Sequence, residues 1–195
     1  MRTAGKRLGL VALLAALTLA GCSQEAADPG DSAGFVEGDG TSVILPVDQR
    51  KPAPVLTGTD LNGEPVDTST WEGSPGVINV WASWCAPCRA EAPELVAVAK
   101  QNPEVNFLGL DTRDSDAPAR AFVEKFNIPY PNLPDPDGQL VLQFSDSLPP
   151  QAIPSTLLVD AQGRVAGRFL GAVEAGELDA ALQDLVAEDS GGAPG

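Results

Sequence analysis

The clearest pattern of apolar and polar positions in the chain lies at residues 76–100. A run of β-branched and aromatic residues at 77–81 (VINVW) is short and almost uninterrupted, which is typical of a buried strand. Beyond Cys88 the apolar residues recur at the spacing of one helix face. The pattern therefore predicts a strand that leads directly into a helix, with Cys85 and Cys88 at the junction.

Weaker patterns of the same two kinds continue on both sides of this unit. They predict, in chain order, a short edge strand within 41–47, an Asn-Gly hairpin at 60–66, a strand at 105–111, a helix that begins near Asp116, a proline-rich loop at 127–138, a helical turn at 140–144, a hairpin of two strands at 155–160 and 165–170, and a helix at 177–187. This order predicts an α/β fold in which a central mixed β-sheet has helices on both faces, with a hairpin N-terminal to it.

Residues 1–21 have the pattern of a secretory signal peptide. Three basic residues precede an apolar run at 8–20, which is shorter than the roughly 20 residues that a membrane-spanning helix needs. The run ends in Leu19-Ala20-Gly21-Cys22, which resembles the lipobox of bacterial lipoproteins and implies that Cys22 is lipidated. An ordinary signal peptide followed by an incidental cysteine is the alternative.

Composition divides the rest of the chain into three parts. Residues 23–40 are polar, acidic and rich in glycine, and we expect a flexible acidic spacer over 22–50. Residues 51–188 hold the strong strand and helix patterns, enough for one ordinary domain. The tail at 189–195 is expected to be disordered. A domain anchored through a lipid on Cys22 would lie at the extracytoplasmic face of the cell membrane.

The charge balance and the absence of histidine exclude several classes of function. The chain has 27 acidic and 12 basic residues, a net charge of −15, and removal of the three basic residues in 1–21 would leave −18. Such a surface disfavours nucleic acid and anionic lipid as electrostatic partners. Without histidine, Ser-His-Asp and Cys-His catalysis are excluded, as are histidine-ligated zinc and haem. We expect no metal and no other cofactor beyond a redox-active disulfide.

The cysteine count is consistent with one lipidated residue and one reactive pair. An odd number in an exported chain needs an explanation, and lipidation of Cys22 would leave Cys85 and Cys88 as a single pair. Because a helix N-terminus favours a thiolate, Cys85 would be nucleophilic near neutral pH. Cys88 follows within one turn and could attack the mixed disulfide that Cys85 forms. The arrangement predicts thiol–disulfide exchange.

Trp84-Cys85-Ala86-Pro87-Cys88 resembles the active-site motif of thioredoxin, and the predicted element order is that of the thioredoxin fold. Four further features are similar to the TlpA/ResA group of membrane-anchored thiol–disulfide oxidoreductases, which includes the thioredoxins of cytochrome c maturation. They are DLNG at 60–63, NVWASWC at 79–85, Glu91 with Pro93, and Ile153-Pro154-Ser155-Thr156 followed by LLVDAQGRV. The similarity covers roughly residues 50–188, most of a domain.

The resemblance implies a role for each residue around the two cysteines. Cys85 would be the exposed nucleophile and Cys88 the buried resolving thiol. Pro154 would be a cis-proline that faces the disulfide, whereas the residues alone favour a trans proline at the start of a strand. The backbone of Ile153 would pair with a substrate strand. Further substrate contacts would come from three residues beside the cysteines, namely Trp84 as a lid, Ala86 and Pro87.

Asn79 and Glu91 bear on proton transfer. Asn79 stands six residues before Cys85, where thioredoxins have a buried acid, so proton transfer cannot follow the thioredoxin scheme. Glu91 lies three residues after Cys88, close to one helical turn, and a partly buried carboxylate there could move protons to or from Cys88. A solvated glutamate on a surface helix is the alternative that the residues alone favour. The resemblance favours the catalytic role of Glu91.

The sequence thus predicts an enzyme, an extracytoplasmic thiol–disulfide oxidoreductase that acts on protein cysteines. The resemblance implies a monomeric reductant, for example in cytochrome c maturation, with a membrane thiol shuttle as electron donor. An oxidant or isomerase of exported proteins is the first alternative. A thioredoxin-fold peroxidase is disfavoured, because Ala82 stands where peroxiredoxins have threonine or serine. A module that holds a soft metal between two thiolates is the remaining alternative.

Overall fold

The computed structural model describes residues 40–190 of the chain. The strands are β1 (Ser42–Ile44), β2 (Thr57–Thr59), β3 (Pro65–Asp67), β4 (Gly76–Trp81), β5 (Asn106–Thr112), β6 (Asn132–Asp135), β7 (Ser155–Val159) and β8 (Val165–Leu170). The helices are α1 (Ala86–Gln101), α2 (Asp116–Phe126), α3 (Gln139–Leu142) and α4 (Ala175–Ser190). Within residues 40–190, no helix is both long enough and apolar enough to cross a membrane.

Six strands form one mixed sheet in the order β1-β8-β7-β4-β5-β6. β4, β5 and β6 are parallel, whereas β7 runs antiparallel to both β4 and β8, and β1 runs antiparallel to β8. All six residues of β4 are buried, which explains why its sequence is a continuous apolar run and not an alternating one. A fully buried strand in the interior of the sheet therefore leads into the two cysteines.

Helices α1, α2 and α4 cover one face of the sheet. Asn79 and Trp81 are two residues apart on β4, so their side chains point to the same face. Asn79 donates a hydrogen bond to Glu91 of α1 (2.9 Å), and Trp81 stacks on Phe122 of α2 with ring centroids 4.2 Å apart. Helix α4 packs against α1 through a shared apolar cluster.

The β2–β3 hairpin and α3 cover the opposite face. On β6, Asn132 accepts a hydrogen bond from the Trp81 indole, so Leu133 and Asp135 point away from that face. Leu133 packs against Gly58 of the hairpin, and the Asp135 carboxylate accepts hydrogen bonds from two backbone N–H groups in the first turn of α3. The predicted α/β fold, a mixed sheet with helices on both faces and an N-terminal hairpin, is confirmed.

Gly109 on β5 makes room for the contact between Trp81 and Asn132. A side chain at position 109 would overlap both the Asn132 amide and the Trp81 indole nitrogen, which are hydrogen bonded at 3.0 Å. Gly109 is also the register partner of Asn132 in the parallel β5–β6 pair. A glycine is therefore required here because two side chains approach the backbone closely.

The prediction that residues 127–138 form only a loop is wrong. Residues 132–135 of this segment form β6, the edge strand that pairs with β5. Pro134 has no backbone N–H to donate, and an edge strand is the position in a sheet where a proline is tolerated. The prolines of the segment therefore favoured a loop prediction, although the segment contains a short strand that is stabilised by pairing with β5.

The predicted boundary of the spacer at residue 50 is also wrong. β1 is the short edge strand expected within 41–47, and it pairs with β8. The guanidinium of Arg50 is buried and lies 3.4 Å from Asp160 and 2.8 Å from Glu188. The ordered domain therefore begins before residue 51, because both a strand pair and a buried ion pair hold this segment.

At the other end of the domain, α4 continues to Ser190, past the predicted start of the tail at residue 189. The remainder of that tail, 191–195, lies outside the described residues. The predicted signal peptide, Cys22 and the first part of the predicted spacer, 22–39, lie outside them as well. These four expectations stay predictions from the sequence.

Replacement of Arg50 by alanine is expected to lower the free energy of unfolding by about 1–3 kcal/mol, because the fully buried carboxylate of Asp160 loses one of its two cationic partners. Lys51→Ala is the matched control. Lys51 pairs with Asp146 where the side chains are 76% and 81% exposed, so its loss should cost less than about 0.5 kcal/mol. Urea denaturation compares the two variants, and equal losses would contradict a structural role for Arg50.

Candidate active site

The two cysteines lie where β4 passes into α1. Cys85 is the N-cap residue of α1, Cys88 lies in its first turn, and the two form a disulfide with Cα atoms 5.3 Å apart. The backbone N–H of Cys88 donates a hydrogen bond to the Cys85 sulfur at 3.2 Å. Because this N–H has no partner within the helix, the same donor would stabilise a thiolate on Cys85 in the reduced protein. The predicted position of the first sulfur at a helix N-terminus is thus confirmed.

The exposure of the two cysteines differs less than the resemblance implied. Cys85 is 5% exposed and Cys88 is 1% exposed, so Cys85 is the more accessible of the pair but is not an exposed residue. The physical reason is that the Cys85 sulfur turns into the first turn of α1, toward the Cys88 N–H. Between them, Ala86 is exposed and Pro87 is half-buried.

Three hydrogen bonds fix the segment that precedes Cys85. The Ser83 N–H donates to Asp114 Oδ2 (2.7 Å), and the Ser83 carbonyl accepts from the guanidinium of Arg89 (2.8 Å). The Trp84 indole N–H donates to the carbonyl of Arg113 (3.3 Å). The loop after β5 and the helix α1 therefore hold this segment from two sides. The sequence analysis missed Arg89 and Asp114, because neither lies in a position that a motif marks.

Ile153 and Pro154 lie at the same end of the sheet as the disulfide. They immediately precede β7, whose first residue Ser155 is the register partner of Val80 near the end of β4. The Ile153–Pro154 peptide bond is cis, as the family resemblance implied. Ile153 is buried, and the Pro154 carbonyl accepts a hydrogen bond from the Gly171 N–H (2.9 Å). The sheet register thus brings the two segments to one end of the domain.

Glu91 is a buried acid. It is 2% exposed, one carboxylate oxygen accepts a hydrogen bond from the Asn79 amide (2.9 Å), and the other accepts one from the Val173 N–H (3.1 Å). Burial raises the pKa of Glu91 to about 7, although the two hydrogen bonds act in the opposite direction. The alternative of a solvated glutamate on a surface helix is therefore wrong.

Asn79 connects this acid to the rest of the sheet. Its amide donates to Glu91 and also to the hydroxyl of Thr156 on β7 (3.1 Å). Asn79, which stands where thioredoxin has a buried acid, is thus a hydrogen-bond donor to Glu91 on α1. The sequence indicated both residues separately, but their contact depends on the way α1 lies over β4, which no local pattern encodes.

A second buried acid was missed. Asp111 near the end of β5 is 2% exposed, and its pKa is raised to about 8 by burial and by the neighbouring carboxyls, foremost that of Asp114. The predicted strand at 105–111 ends at this residue, where an ordinary surface aspartate would be expected. The available signal was the acid at the end of an otherwise apolar run (FLGLD).

The mixed sheet, the disulfide at a helix N-terminus and the cis-proline are together the features of a thioredoxin-like thiol–disulfide oxidoreductase. The model of the AhpC/TSA family matches residues 50–168, more than half of the chain. The chain belongs to the AhpC/TSA family.

The chain is similar to three relatives, two of which are named as thiol–disulfide exchange proteins. The soluble secreted antigen MPT53 of Mycobacterium tuberculosis (strain H37Rv) is 40% identical over 90 residues, which are 46% of this chain and 52% of that protein, so the chain spans about half the length of this relative. The thiol:disulfide interchange protein DsbE of Allochromatium vinosum is 32% identical over 148 residues, 74% of this chain and 78% of that protein. The thiol-disulfide oxidoreductase ResA of Bacillus thuringiensis is 26% identical over 137 residues, 69% and 77% of the two chains.

A solved structure has the same fold. The secreted Mycobacterium tuberculosis disulfide oxidoreductase homologous to Escherichia coli DsbE is similar with a TM-score of 0.60 and 32% sequence identity, covering 67% of this chain and 96% of that chain. The expected similarity to ResA-type oxidoreductases is confirmed, and it extends to DsbE proteins.

Replacement of Glu91 by glutamine should flatten the pH dependence of stability. The folded pKa of Glu91 is raised to about 7 from an ordinary value of 4.5, so the folded state binds more protons than the unfolded state between these values. The contribution of Glu91 to stability therefore falls as pH rises through this window, and Glu91→Gln removes it, whereas the similar contribution of Asp111 remains in both proteins. The measurement is the urea midpoint of the oxidised protein from pH 4 to pH 8.

The matched control for this variant is Glu94→Gln. Glu94 is exposed on the same helix and accepts a hydrogen bond from the Ala175 N–H (3.3 Å). The Glu94→Gln variant should have the same slope of urea midpoint against pH as the wild-type protein. If Glu91→Gln retains the wild-type slope as well, the buried carboxyl is not the source of the pH dependence.

Proposed function

We propose that the chain is an extracytoplasmic thiol–disulfide oxidoreductase that exchanges disulfides with protein cysteines through Cys85 and Cys88. The observation that carries this proposal is the hydrogen bond from the Cys88 N–H to the Cys85 sulfur at the start of α1. A sulfur held at a helix N-terminus is a stabilised thiolate when reduced, and thiolates are the nucleophiles of disulfide exchange. The nearby cysteine supplies the second sulfur of the cycle.

The exchange has two steps. The Cys85 thiolate attacks a substrate disulfide, so a bond forms between Cys85 and one substrate sulfur while the other substrate sulfur leaves as a thiolate. Cys88 then loses its proton and attacks the Cys85 sulfur. The Cys85–Cys88 disulfide forms, the second substrate sulfur leaves as a thiolate, and the two substrate thiolates take protons from solvent. The substrate thus gains two electrons and the protein loses two.

Glu91 acts in this scheme as the proton acceptor for Cys88. It lies one helical turn from Cys88 on α1 and is shielded from solvent, and its pKa of about 7 suits proton transfer near neutral pH. Asn79 holds the carboxyl in place by donating to one of its oxygens. When the protein acts in the opposite direction, the same carboxyl returns the proton to Cys88.

Substrate would bind at the end of the sheet where the disulfide lies. The exposed Ala86 and the half-buried Trp84 and Pro87 provide a contact surface beside the sulfurs. The backbone of Ile153, next to the cis-proline, would add a strand-like pairing with the substrate chain. Backbone pairing is independent of sequence and therefore suits an enzyme that acts on several proteins.

The proposed direction is that of a reductant, for example of apocytochrome c thiols, supplied with electrons by a membrane thiol shuttle. The proposed location is the extracytoplasmic face of the cell membrane, with the monomeric domain anchored by a lipid on Cys22. Support comes from the lipobox-like sequence and from relatives named as secreted proteins or thiol:disulfide interchange proteins. The disulfide itself serves as the redox group, and no metal or other cofactor is part of the proposal.

The reduction potential of the Cys85–Cys88 pair should lie at about −270 mV or slightly above, the range of thioredoxin, because the proposed role is reduction. The measurement is a titration of the chain in defined thiol buffers, read by the fluorescence of Trp84 beside the pair. A value near about −120 mV would instead identify an oxidant of exported proteins. The Cys85→Ser variant is the control and should show no transition.

The order of the two steps predicts which cysteine variant traps substrate. Cys88→Ser should accumulate a mixed disulfide with a peptide that contains one disulfide, because the adduct on Cys85 can no longer be resolved. Cys85→Ser should form little adduct, because Cys88 is the more buried of the two sulfurs. Mass spectrometry after acid quenching counts the adducts. Adducts of equal abundance on both variants would refute the assignment of Cys85 as nucleophile.

A further inference from the structure

Asp111 is a buried acid that the exchange steps above do not use. It lies on β5 as the register partner of Trp81, close to where β4 leads into the active-site segment. Its side chain is almost fully buried, and within residues 40–190 its Oδ1 atom has no hydrogen-bond partner. Beside it on the following loop, Asp114 accepts the Ser83 N–H. A buried acid with an unused oxygen thus adjoins a residue that supports the segment before Cys85.

We propose that Asp111 is a positioning residue for the thiol–disulfide reaction, which acts through Asp114 to hold the segment from Ser83 to Cys85. The proposal rests on the proposed role of Cys85 as the nucleophile. Asp111 touches neither sulfur nor substrate in this scheme. In this proposal the protonation state of Asp111 determines whether Asp114 keeps its position.

The hydrogen bonds of Asp114 show how the proton would act. Asp114 Oδ2 accepts the Ser83 N–H (2.7 Å) and Oδ1 accepts the Ser115 N–H (2.7 Å), so both oxygens are used by the backbone as acceptors. A neutral Asp111 carboxyl can donate its O–H to this carboxylate. An ionised Asp111 has no hydrogen to donate and repels Asp114 instead. Loss of the proton therefore weakens the support of Ser83.

The acidic groups around Asp111 all favour its neutral form. Asp114 is on the loop after β5, Asp116 is at the start of α2, and Asp135 is at the end of β6. Burial is the largest cause and these carboxyls add to it, so the pKa of Asp111 is raised to about 8. The proton is therefore held at neutral pH and released in mildly alkaline solution.

Three arginines lie on the elements around this cluster, on α1, on α2 and on the loop after β5. Arg89 of α1 binds the Ser83 carbonyl (2.8 Å), and Arg120 of α2 pairs with Asp116 (3.2 Å). Arg113 lies on the loop itself, and its side chain packs near Gly138. On the neighbouring strand β4, the residue beside Asp111 is Trp81, which carries no charge.

The consequence for the reaction follows from distance along the chain. Ser83 is two residues before Cys85, so a change in the support of Ser83 shifts the direction from which the Cys85 sulfur meets the Cys88 N–H. That hydrogen bond is the one that stabilises the thiolate. Ionisation of Asp111 would therefore reduce the reactivity of Cys85 at alkaline pH, where the thiolate itself would otherwise become more abundant.

The test uses the oxidised protein, in which neither cysteine titrates. NMR follows the side-chain carboxyl carbon of Asp111 and the backbone amide of Ser83 from pH 6 to pH 9, which brackets the raised pKa of Asp111. We expect both signals to move with one common midpoint in the wild-type protein. A Ser83 amide that stays fixed while Asp111 titrates would overturn the proposal, and this outcome requires no variant to fold.

Two variants assign the effect. Asp111→Asn should abolish the pH-dependent shift of the Ser83 amide, whereas Asp116→Asn, which removes a neighbouring charge without contact to Ser83, should retain it. A shift that persists in Asp111→Asn would overturn the proposal. Glu91→Gln should also retain the shift, which separates the two buried acids.

The reduced protein provides the functional readout. The rate of mixed-disulfide formation by the Cys88→Ser variant should rise with pH more steeply when Asp111→Asn is added, because the support of Ser83 then no longer weakens. Identical pH profiles with and without Asp111→Asn would overturn the positioning role. If Cys85 forms no adduct at any pH, the proposed function fails, while the titration of the oxidised protein still decides the link between Asp111 and Ser83.

Discussion

Burial of an ionisable carboxyl is unfavourable unless its oxygens find hydrogen-bond donors, and the structure meets this requirement at Glu91. One oxygen binds the Asn79 amide and the other binds the Val173 N–H, which joins the central strand, the active-site helix and the segment before α4. Asn79 extends the connection to Thr156 on β7. The elements that meet around the two cysteines are therefore tied together through a single side chain.

On the other side of the active-site segment a buried acid does not fully meet this requirement, because Asp111 Oδ1 has no hydrogen-bond partner within residues 40–190. Asp111 is buried near its neighbour Asp114, and Asp114 in turn holds the backbone N–H of Ser83. Both Glu91 and Asp111 have raised pKa values near the physiological range, and both lie on the face of the sheet that α1 and α2 cover. Two buried acids thus lie on this face, Glu91 on the active-site helix and Asp111 on β5 beside the strand that leads into the CxxC motif.

Features of the fold and the site that depend on neighbouring residues could be predicted from the sequence, whereas features that depend on contacts between distant residues could not. The strand-to-helix junction at Cys85 follows from local periodicity, and it was predicted correctly together with the sheet type. β6 was missed because Pro134 contradicts a strand locally, and only pairing with β5 overrides it. The spacer was extended to residue 50 because composition cannot reveal that Arg50 finds Asp160 across 110 residues. The contact of Glu91 with Asn79 likewise requires the packing of α1 on β4.

Gly109 limits the substitutions that the fold can accept at three contacting positions. The Trp81 indole, the Asn132 amide and the bare Cα of Gly109 share one small space, and the indole is further confined by Phe122. A methyl group at position 109 would displace the Trp81 indole or the Asn132 amide. A smaller residue at position 81 would leave a cavity under α2. A residue without a hydrogen-bond acceptor at position 132 would leave the indole N–H without a partner. A substitution at one of the three positions is therefore expected to destabilise the fold unless the other two change with it.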